Sequence, residues 1–473
     1  MTANFTNIAT SAQHAVLDVA TSDQSCRTMM AQLEEQGELL VVDEEIDPVH
    51  DLSALLSLTH DSFAVRANRI KGGAMPVFGN LLSDHKRIGM ALGVAPEAIQ
   101  STLLASVHNP IAPVLVDDAP VQQEEFTEGV LAHLPVPTFF AKETGPYISA
   151  GMMVALDPET GLGNASYARL KVLSDTDCLI GIAPNHHLAI MARKAAAMGK
   201  SLPFAVVLGA HPAIQLAACL YLGLGDDELH NAGALLGEPV RVAKCKTNDV
   251  LVPADAEIIL EGFIHADEPI EEGYVSEYHG MYEDYGVGVR ASFHRMTKRS
   301  DAMFQVIEPG YHAEHIYLGA IPIAASLKAQ LVRSILNVGE VAVTATGSGR
   351  NNVVVQIHNP RPGQARRAMA ICWGAVSIIK NITIVDGDVD PWDTEAVELA
   401  KSTRMRAERD ILIVTDLPAD RSEPQESGGM VAKVGYDATI RLSDRKEGFD
   451  KALPPEASYE RMRAVLARAK AEG

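Results

Sequence analysis

The chain has 473 residues, 47% of them hydrophobic and 21% charged, the composition of a soluble globular protein with room for two or three domains and no mark of disorder. Its 40 Lys and Arg against 61 Asp and Glu give a formal charge of −21, which repels phosphate backbones and anionic lipid and excludes nucleic acid and membrane surfaces as natural partners. The start, MTANFTNIATSAQHAVLDVATSD, has no basic residue ahead of an apolar run, no later segment stays apolar long enough to span a bilayer, and Cys26, Cys178, Cys219, Cys245 and Cys372 are scattered without a C-x-x-C pair. These features predict a cytoplasmic protein whose cysteines are buried small hydrophobes rather than disulfides or thiolate zinc ligands.

Along the chain, CRTMMAQLEEQG predicts a helix ending on a C-cap Gly37, ELLVVD a strand, and APEAIQSTLLASVH a second helix, so that residues 1–113 form an α/β module. From 114 to 312 the pattern turns to β-rich runs divided by turns: GMMVALD, ASYARLKVL, CLIGIA, AEIILEGFIHAD and GVGVRASFHRMTKR. Two helices interrupt it, in HHLAIMARKAAAMGK and HPAIQLAACLYLG. Residues 313–473 return to alternation after Pro322, with ASLKAQLVRSILN, EVAVTAT, NNVVVQIH, the helix ARRAMAICWGAVSIIK and NITIVD, a second α/β module with strands buried on both faces. The last segment, SYERMRAVLARAKAEG, is an amphipathic helix with Met462, Val465, Leu466 and Ala469 on one stripe, suited to dock on its own core or on a neighbouring subunit.

Three polar clusters lie in the middle part, each with an ordinary reading beside a chemical one. In GNASYAR, Asn164 ends a glycine-rich turn and Arg169 sits inside a strand; facing a core it needs an anionic partner, although strand arginines ordinarily face water. In PNHHLAI, Asn185 fits an N-cap and His186 the first helical position, where free N–H groups favour an anion; a histidine there is more often a cap or surface residue. In GDDELHNAG, Glu228 belongs to an acidic loop that solvation alone would satisfy. Together Asn164, His186 and Glu228 offer amide oxygen, imidazole and carboxylate, a donor set for Mg²⁺ or Mn²⁺ with a phosphate completing the shell.

The run EEGYVSEYHG sets Glu272 and Glu277 in one loop as E-G-x-x-x-E, either a solvated loop or a pair held for proton chemistry. Elsewhere DGDVD at 386–390 starts like a calcium loop, but Pro391 and Val397 replace its glycine and glutamate. His312 and His315 lack the H-E-x-x-H form and read as a structural junction, and TGSGR completes neither G-x-G-x-x-G nor a P-loop.

In their order and spacing GNASYAR, PNHH, LPFAVVLGAHPA, GDDELHNAGALLGEPVRVAKCKTNDVLVPADAEIILEG and EEGYVSEYHG resemble the UbiD family of prenylated-FMN-dependent decarboxylases. The resemblance covers most of the chain, is densest from about 160 to 285, and is most specific from 226 to 262. It implies an α/β (α+β) fold with an N-terminal α/β domain (1–113), a central split β-barrel that binds the flavin (114–312), and a C-terminal α/β domain with a terminal helix (313–473).

The resemblance also implies roles. Asn164, Ala165, Ser166, Tyr167, Ala168 and Arg169 would contact prenylated FMN, with Asn185, His186 and Glu228 beside it. Asn164, His186 and Glu228 would hold Mn²⁺ or Mg²⁺, which with K⁺ clamps the flavin phosphate. Arg169, Glu272 and Glu277 would form the family's E-R-E network: Arg169 keeps Glu272 ionised, while Glu277, drawn into an apolar site beside another carboxylate, has its pKa raised and delivers a proton. The reaction implied is reversible decarboxylation of an aromatic, heteroaromatic or α,β-unsaturated acid through an adduct with the flavin, releasing CO₂. A flavin prenyltransferase would supply the cofactor, and the assembly would be a homodimer or homohexamer.

There are departures from the family pattern. A phosphate-side lysine of some relatives falls on Gly374, with Lys380 nearby as its substitute, and the usual E-G-P-F-G-[DE] loop is EGYVSE here. Leu318 matches a position that lines the substrate pocket in relatives, and Asn185 faces it too. Two other classes compete on the same residues: a metal-dependent hydrolase using His186 and Glu228, which leaves Arg169 unexplained, and a non-catalytic flavin- or partner-binding protein.

Overall fold

The computed structural model describes residues 23–284, 286–420, 422–440 and 452–472, so the amino-terminal reading falls outside the described residues apart from its last residue, Asp23. The chain divides into two compact units, residues 1–322 and 323–473.

In the first unit the helix Arg27–Glu35 ends before Gly37, whose φ of +71° is the left-handed turn that glycine adopts without steric cost. The strands Leu39–Ile46 and Ala64–Ile70 run parallel and are joined by the helix Asp51–Thr59, as a crossover requires. Val77–Gly79 and the distant Phe304–Gln305 complete this four-stranded sheet.

The central sheet has nine strands. Its path runs Tyr147–Ile148, Arg169–Val172, Asp177–Gly181, Val287–Lys298, Ile258–Glu271, Leu202–Leu208, Met152–Leu156, Gly163–Tyr167, with Glu124–Phe126 paired to Val287–Lys298 and every neighbour antiparallel. Gly163–Tyr167 ends the path, and Arg169–Val172 lies one strand from its other end, yet Ala168 alone separates them in sequence. Two residues of chain reach about 7 Å at most, so the sheet must curl until its ends meet. The segment from Asn164 to Arg169 therefore closes a split barrel, where the sequence pattern suggested one continuous strand. The helix His187–Ala197 packs on the strands Gly163–Tyr167, Leu202–Leu208 and Ile258–Glu271. A third helix, Glu228–Leu236, lies where an acidic loop was expected and packs on Gly163–Tyr167 and on the helices Pro212–Ala217 and Ile99–His108.

The helix Ala313–Val332 begins well before Pro322, which the sequence reading took as a boundary. Proline is tolerated inside it at the cost of one N–H, the one that would bond the Leu318 carbonyl. Contrary to the sequence reading, this helix is long and apolar enough to cross a bilayer, but more than half of it is buried inside the fold, as in a core helix. Glu314 in its first turn is fully buried and accepts the backbone N–H groups of Asn80 and Leu82 at 2.8 and 3.0 Å.

The second unit has a five-stranded sheet in the order Val338–Val343, Asn352–Ile357, Asn381–Asp386, Met430–Ala438, Ile411–Pro418. The central three strands are parallel and the edges antiparallel. The helices Gln364–Ala375 and Thr394–Arg404 pack on it, and Val354, Val385, Val397 and Ala438 form part of the core beneath Trp392. On the terminal helix Glu456–Glu472 the stripe residues Met462, Val465 and Leu466 stay exposed. All five cysteines are free, and Cys219 alone among them is not fully buried.

Candidate active site

One end of the barrel-closing segment gathers three of the expected metal ligands' elements. Gly163 lies so close to Asp227 that a Cβ would fall 2.4 Å from its carboxylate oxygen, and this glycine lets the Glu228 helix abut the strand. Asp227 is the N-cap, accepting the Leu229 N–H at 2.9 Å, and Glu228 follows in the first turn, where the helix dipole favours a carboxylate. Glu228 is 3% exposed, accepts the Ala165 N–H at 2.7 Å, and receives the Asn164 amide on both oxygens at 3.1 and 3.2 Å. Burial, with Asp227 and Asp226 nearby, pushes its pKa up to about 8.

His186 is itself the N-cap of His187–Ala197, one residue from the predicted register. Its Nδ1 accepts the Leu188 N–H at 3.3 Å, while Asn185 stands exposed in the preceding turn. The correction has a simple cause: an imidazole nitrogen can accept the bond that Asn185 was expected to take. Burial lowers the His186 pKa to about 4, so the ring is neutral near pH 7 with Nε2 as its remaining nitrogen, the form that ligates metals. Among the described residues no cation pairs with Glu228 and no three His, Cys, Asp or Glu side chains converge on a metal position. A buried carboxyl without a cation, beside an amide and a neutral imidazole on adjoining elements, fits a hard divalent ion; the Asn164 oxygen must count among its donors.

At the other end of the segment, Arg169 is held between two carboxylates. Its Nε and Nη2 donate to Glu272 Oε1 and Oε2 at 2.7 and 2.8 Å, and its Nη1 to Glu277 Oε1 at 3.2 Å. Glu272 is 1% and Glu277 9% exposed. Cross-strand pairing sets Gly181 opposite Arg169, and a Cβ there would press on both guanidinium and Glu272 at 3.0 Å. The two glutamates do not share a loop. They flank a short strand, Tyr274–Ser276, that pairs with Tyr282–Asp284 as a hairpin. Gly280 (φ +76°) seats the hairpin turn on Tyr311, and Gly310 (φ +85°) receives Ser276; a Cβ at either would clash.

The intervening residues serve the closure. Ala165 is buried, Ser166 donates to Asn164 Oδ1 at 3.4 Å, Tyr167 has its hydroxyl pKa raised by burial, and Ala168 is the link between strands. Leu318 is buried. Gly374 lies on the helix Gln364–Ala375, and Lys380 is engaged by Glu423 at 2.7 Å. His312 lies buried 3.5 Å from Glu308, and His315 faces the Gly310 carbonyl at 3.0 Å, both at the start of the long helix. Asp386 and Asp388 of DGDVD pair with Arg404. Three residues at the E-R-E end went unnoticed in the sequence. Lys171 donates to the Glu272 carbonyl at 2.7 Å, Thr144 accepts from the same ammonium, and Tyr147 lies buried beside Glu272, which with burial raises its pKa. The period of two that puts Lys171 on the face of Arg169 was the available signal.

Residues 30–107, 114–312 and 316–438 match in turn the N-terminal, Rift-related and C-terminal domains of 3-octaprenyl-4-hydroxybenzoate carboxy-lyase, UbiD. The chain is 32% identical over 432 residues to an anhydromevalonate phosphate decarboxylase of Methanosarcina mazei, covering 91% of this chain and 99% of that one. Its fold is similar to the UbiD-class enzyme HmfF from Pelotomaculum thermopropionicum in complex with FMN, with a TM-score of 0.88 and 35% identity over 92% of this chain and 98% of that one. An evolved dimeric form of HmfF in complex with prFMN aligns at 0.85 with 34% identity and the same coverage. The chain belongs to the UbiD family of carboxy-lyases.

Proposed function

We propose that this carboxy-lyase decarboxylates an aromatic, heteroaromatic or α,β-unsaturated carboxylic acid, reversibly and without net oxidation, using prenylated FMN. The observation that carries the proposal is Arg169 bridging two buried carboxylates at 2.7 and 3.2 Å, at the opposite end of one barrel-closing segment from the Asn164–Glu228 pair. At roughly 3.3 Å per residue the two ends are at most about 16 Å apart, so one ligand can engage both. Asn164, His186 and Glu228 would hold Mn²⁺ or Mg²⁺, which together with K⁺ would offer positive charge to the flavin phosphate. When bound, prenylated FMN supplies the electron sink for the carbanion left as CO₂ departs, chemistry no side chain provides.

The chain's own groups do the rest. Arg169 fixes Glu272 by two parallel hydrogen bonds and orients Glu277 by one. Glu277 gives its proton to the carbon that has lost CO₂ and recovers one from solvent, so the carboxylate is exchanged for hydrogen with no change in redox state. A hydrolase built on His186 and Glu228 has no use for this arrangement. The free, mostly buried cysteines suit a reducing cytoplasm, and the exposed stripe on the terminal helix suits assembly as a homodimer or homohexamer.

The test is co-expression with a flavin prenyltransferase, anaerobic purification, the mass of the released small molecule, and a screen for CO₂ release. Names of relatives and structural neighbours set its arms: anhydromevalonate phosphate, 3,4-dihydroxybenzoate and vanillate. Prenylated FMN with CO₂ from one class of acid is the expected result. Folded, metal-supplied protein that releases plain FMN or nothing would overturn the reading.

A further inference from the structure

Lys171 is buried, and among the described residues it forms no ion pair. A buried ammonium without an anion is costly, so its hydrogen bonds must place it. It follows Arg169 by two residues on the strand Arg169–Val172, and alternation puts both side chains on one face. Both grip the same residue. Arg169 takes the Glu272 carboxylate, Lys171 takes the Glu272 carbonyl at 2.7 Å, and the Glu272 N–H is bound by the Gly286 carbonyl at 2.9 Å. A second donor of Lys171 goes to Thr144 Oγ1, and the backbone of Gly145 lies against its stem, where a Cβ would meet Cε at 3.5 Å.

The Glu272 carbonyl belongs to the peptide plane that enters Gly273. Gly273 has φ +78° and turns the chain into the Tyr274–Ser276 strand, at whose end Glu277 stands. A bond that fixes this plane fixes the direction of the hairpin and with it the reach of Glu277 toward Arg169. Thr144 lies at the same pivot, its Oγ1 3.8 Å from where a Gly273 Cβ would sit.

We infer that Lys171, braced by Thr144, is a positioning residue that orients the Glu272–Gly273 peptide and so registers Glu277 on Arg169; its kinetic arm rests on the decarboxylase reading. The experiment compares wild type, Lys171→Met, Thr144→Val and Thr144→Ser by hydrogen–deuterium exchange of residues 272–284, by FMN binding, and by steady-state kinetics of the prenylated-FMN enzyme. Lys171→Met and Thr144→Val should speed exchange in 272–284 by about tenfold, leave exchange around Asn164 and Glu228 and the affinity for FMN at wild-type values, and lower kcat by about ten- to a hundredfold with little change in KM. Thr144→Ser, which keeps the hydroxyl, should restore both. Unchanged exchange in 272–284 in both variants overturns the inference, as does a rise spread over the whole protein, which would make Lys171 an ordinary packing residue. Thr144→Val carries the test if Lys171→Met does not fold. If exchange responds as expected but wild type releases no CO₂, the positioning role stands and the decarboxylase reading falls.

Discussion

Glu272 and Glu277 share one guanidinium unequally. Glu272 takes two short parallel bonds and is almost wholly buried, whereas the bond from Arg169 to Glu277 is longer, at 3.2 Å. A carboxylate doubly bound to arginine in the interior is expensive to disturb, because losing its partner leaves a buried charge at a cost of about 3–5 kcal/mol. Glu272 is therefore the anchor, which leaves Glu277 as the proposed proton donor. Glu277→Gln keeps the volume and a hydrogen-bonding amide but has no acidic proton. It should bind FMN and Mn²⁺ as wild type does and lose roughly a hundredfold or more of its turnover, the scale of a missing general acid. Rates of CO₂ release by matched, cofactor-loaded proteins check this; wild-type turnover in the variant would remove Glu277 from the mechanism.

The elements show why the site needs glycines: a side chain at these positions would not fit. Gly163 brings the Glu228 helix against the strand of Asn164, and a methyl group there would meet Asp227 at 2.4 Å. Either Asp227 gives up its cap, a loss of about 1 kcal/mol, or the helix start retreats and the 2.7 Å bond from Ala165 to Glu228 lengthens. Gly163→Ala should thus weaken Mn²⁺ binding by about ten- to a hundredfold, the range for groups that support a ligand without touching the metal. Isothermal titration of the metal-free protein measures it, with Glu228→Gln as the reference for a lost ligand; an unaltered Mn²⁺ affinity would contradict the role given to Gly163. Asn164, Arg169, Glu272 and Glu277 were singled out by the family resemblance of the motifs around them, since type and spacing alone left each with an ordinary reading. It hid the break at Ala168, since GNASYAR carries no turn signal between two strands that lie at far places in the sheet. Lys171 was half legible: the period of two puts it on the face of Arg169, but its partner is a main-chain carbonyl, which leaves no trace in residue identity. The His186 cap escaped because cap preferences favour Asn, Asp, Ser and Thr, and the long helix escaped because proline reads as a boundary.

Across the whole molecule, buried acids and buried imidazoles pull stability in opposite directions with pH. Burial pushes Glu314 and Glu308 up to about 7 and lowers His186, His211 and His312 to about 4. A carboxyl raised from its ordinary value of 4.5 binds its proton more tightly in the folded chain, so its contribution is complete below about pH 4.5 and is lost as pH rises through 7. An imidazole lowered from 6.5 acts oppositely: the folded chain binds fewer protons between about 4 and 6.5, and stability recovers as pH climbs through that interval. The two sets offset each other below about pH 7, and above it the unfolded chain's imidazoles have lost most of their protons and the acids dominate, Glu228 at about 8 among them. The metal-free protein should therefore lose stability from about pH 7 to 8, with Glu314 contributing on the order of 3 kcal/mol over its full titration. The net charge of −21 adds repulsion in the same direction, so the diagnostic quantity is the slope and not the absolute value. Glu314→Gln is less stable at every pH, because its amide cannot accept both the Asn80 and Leu82 N–H bonds on two oxygens. Its urea midpoint should nevertheless fall less steeply than that of wild type between pH 6.5 and 8. Parallel slopes would mean that Glu314 is ionised throughout the interval, held as an anion by those two N–H groups in spite of its burial.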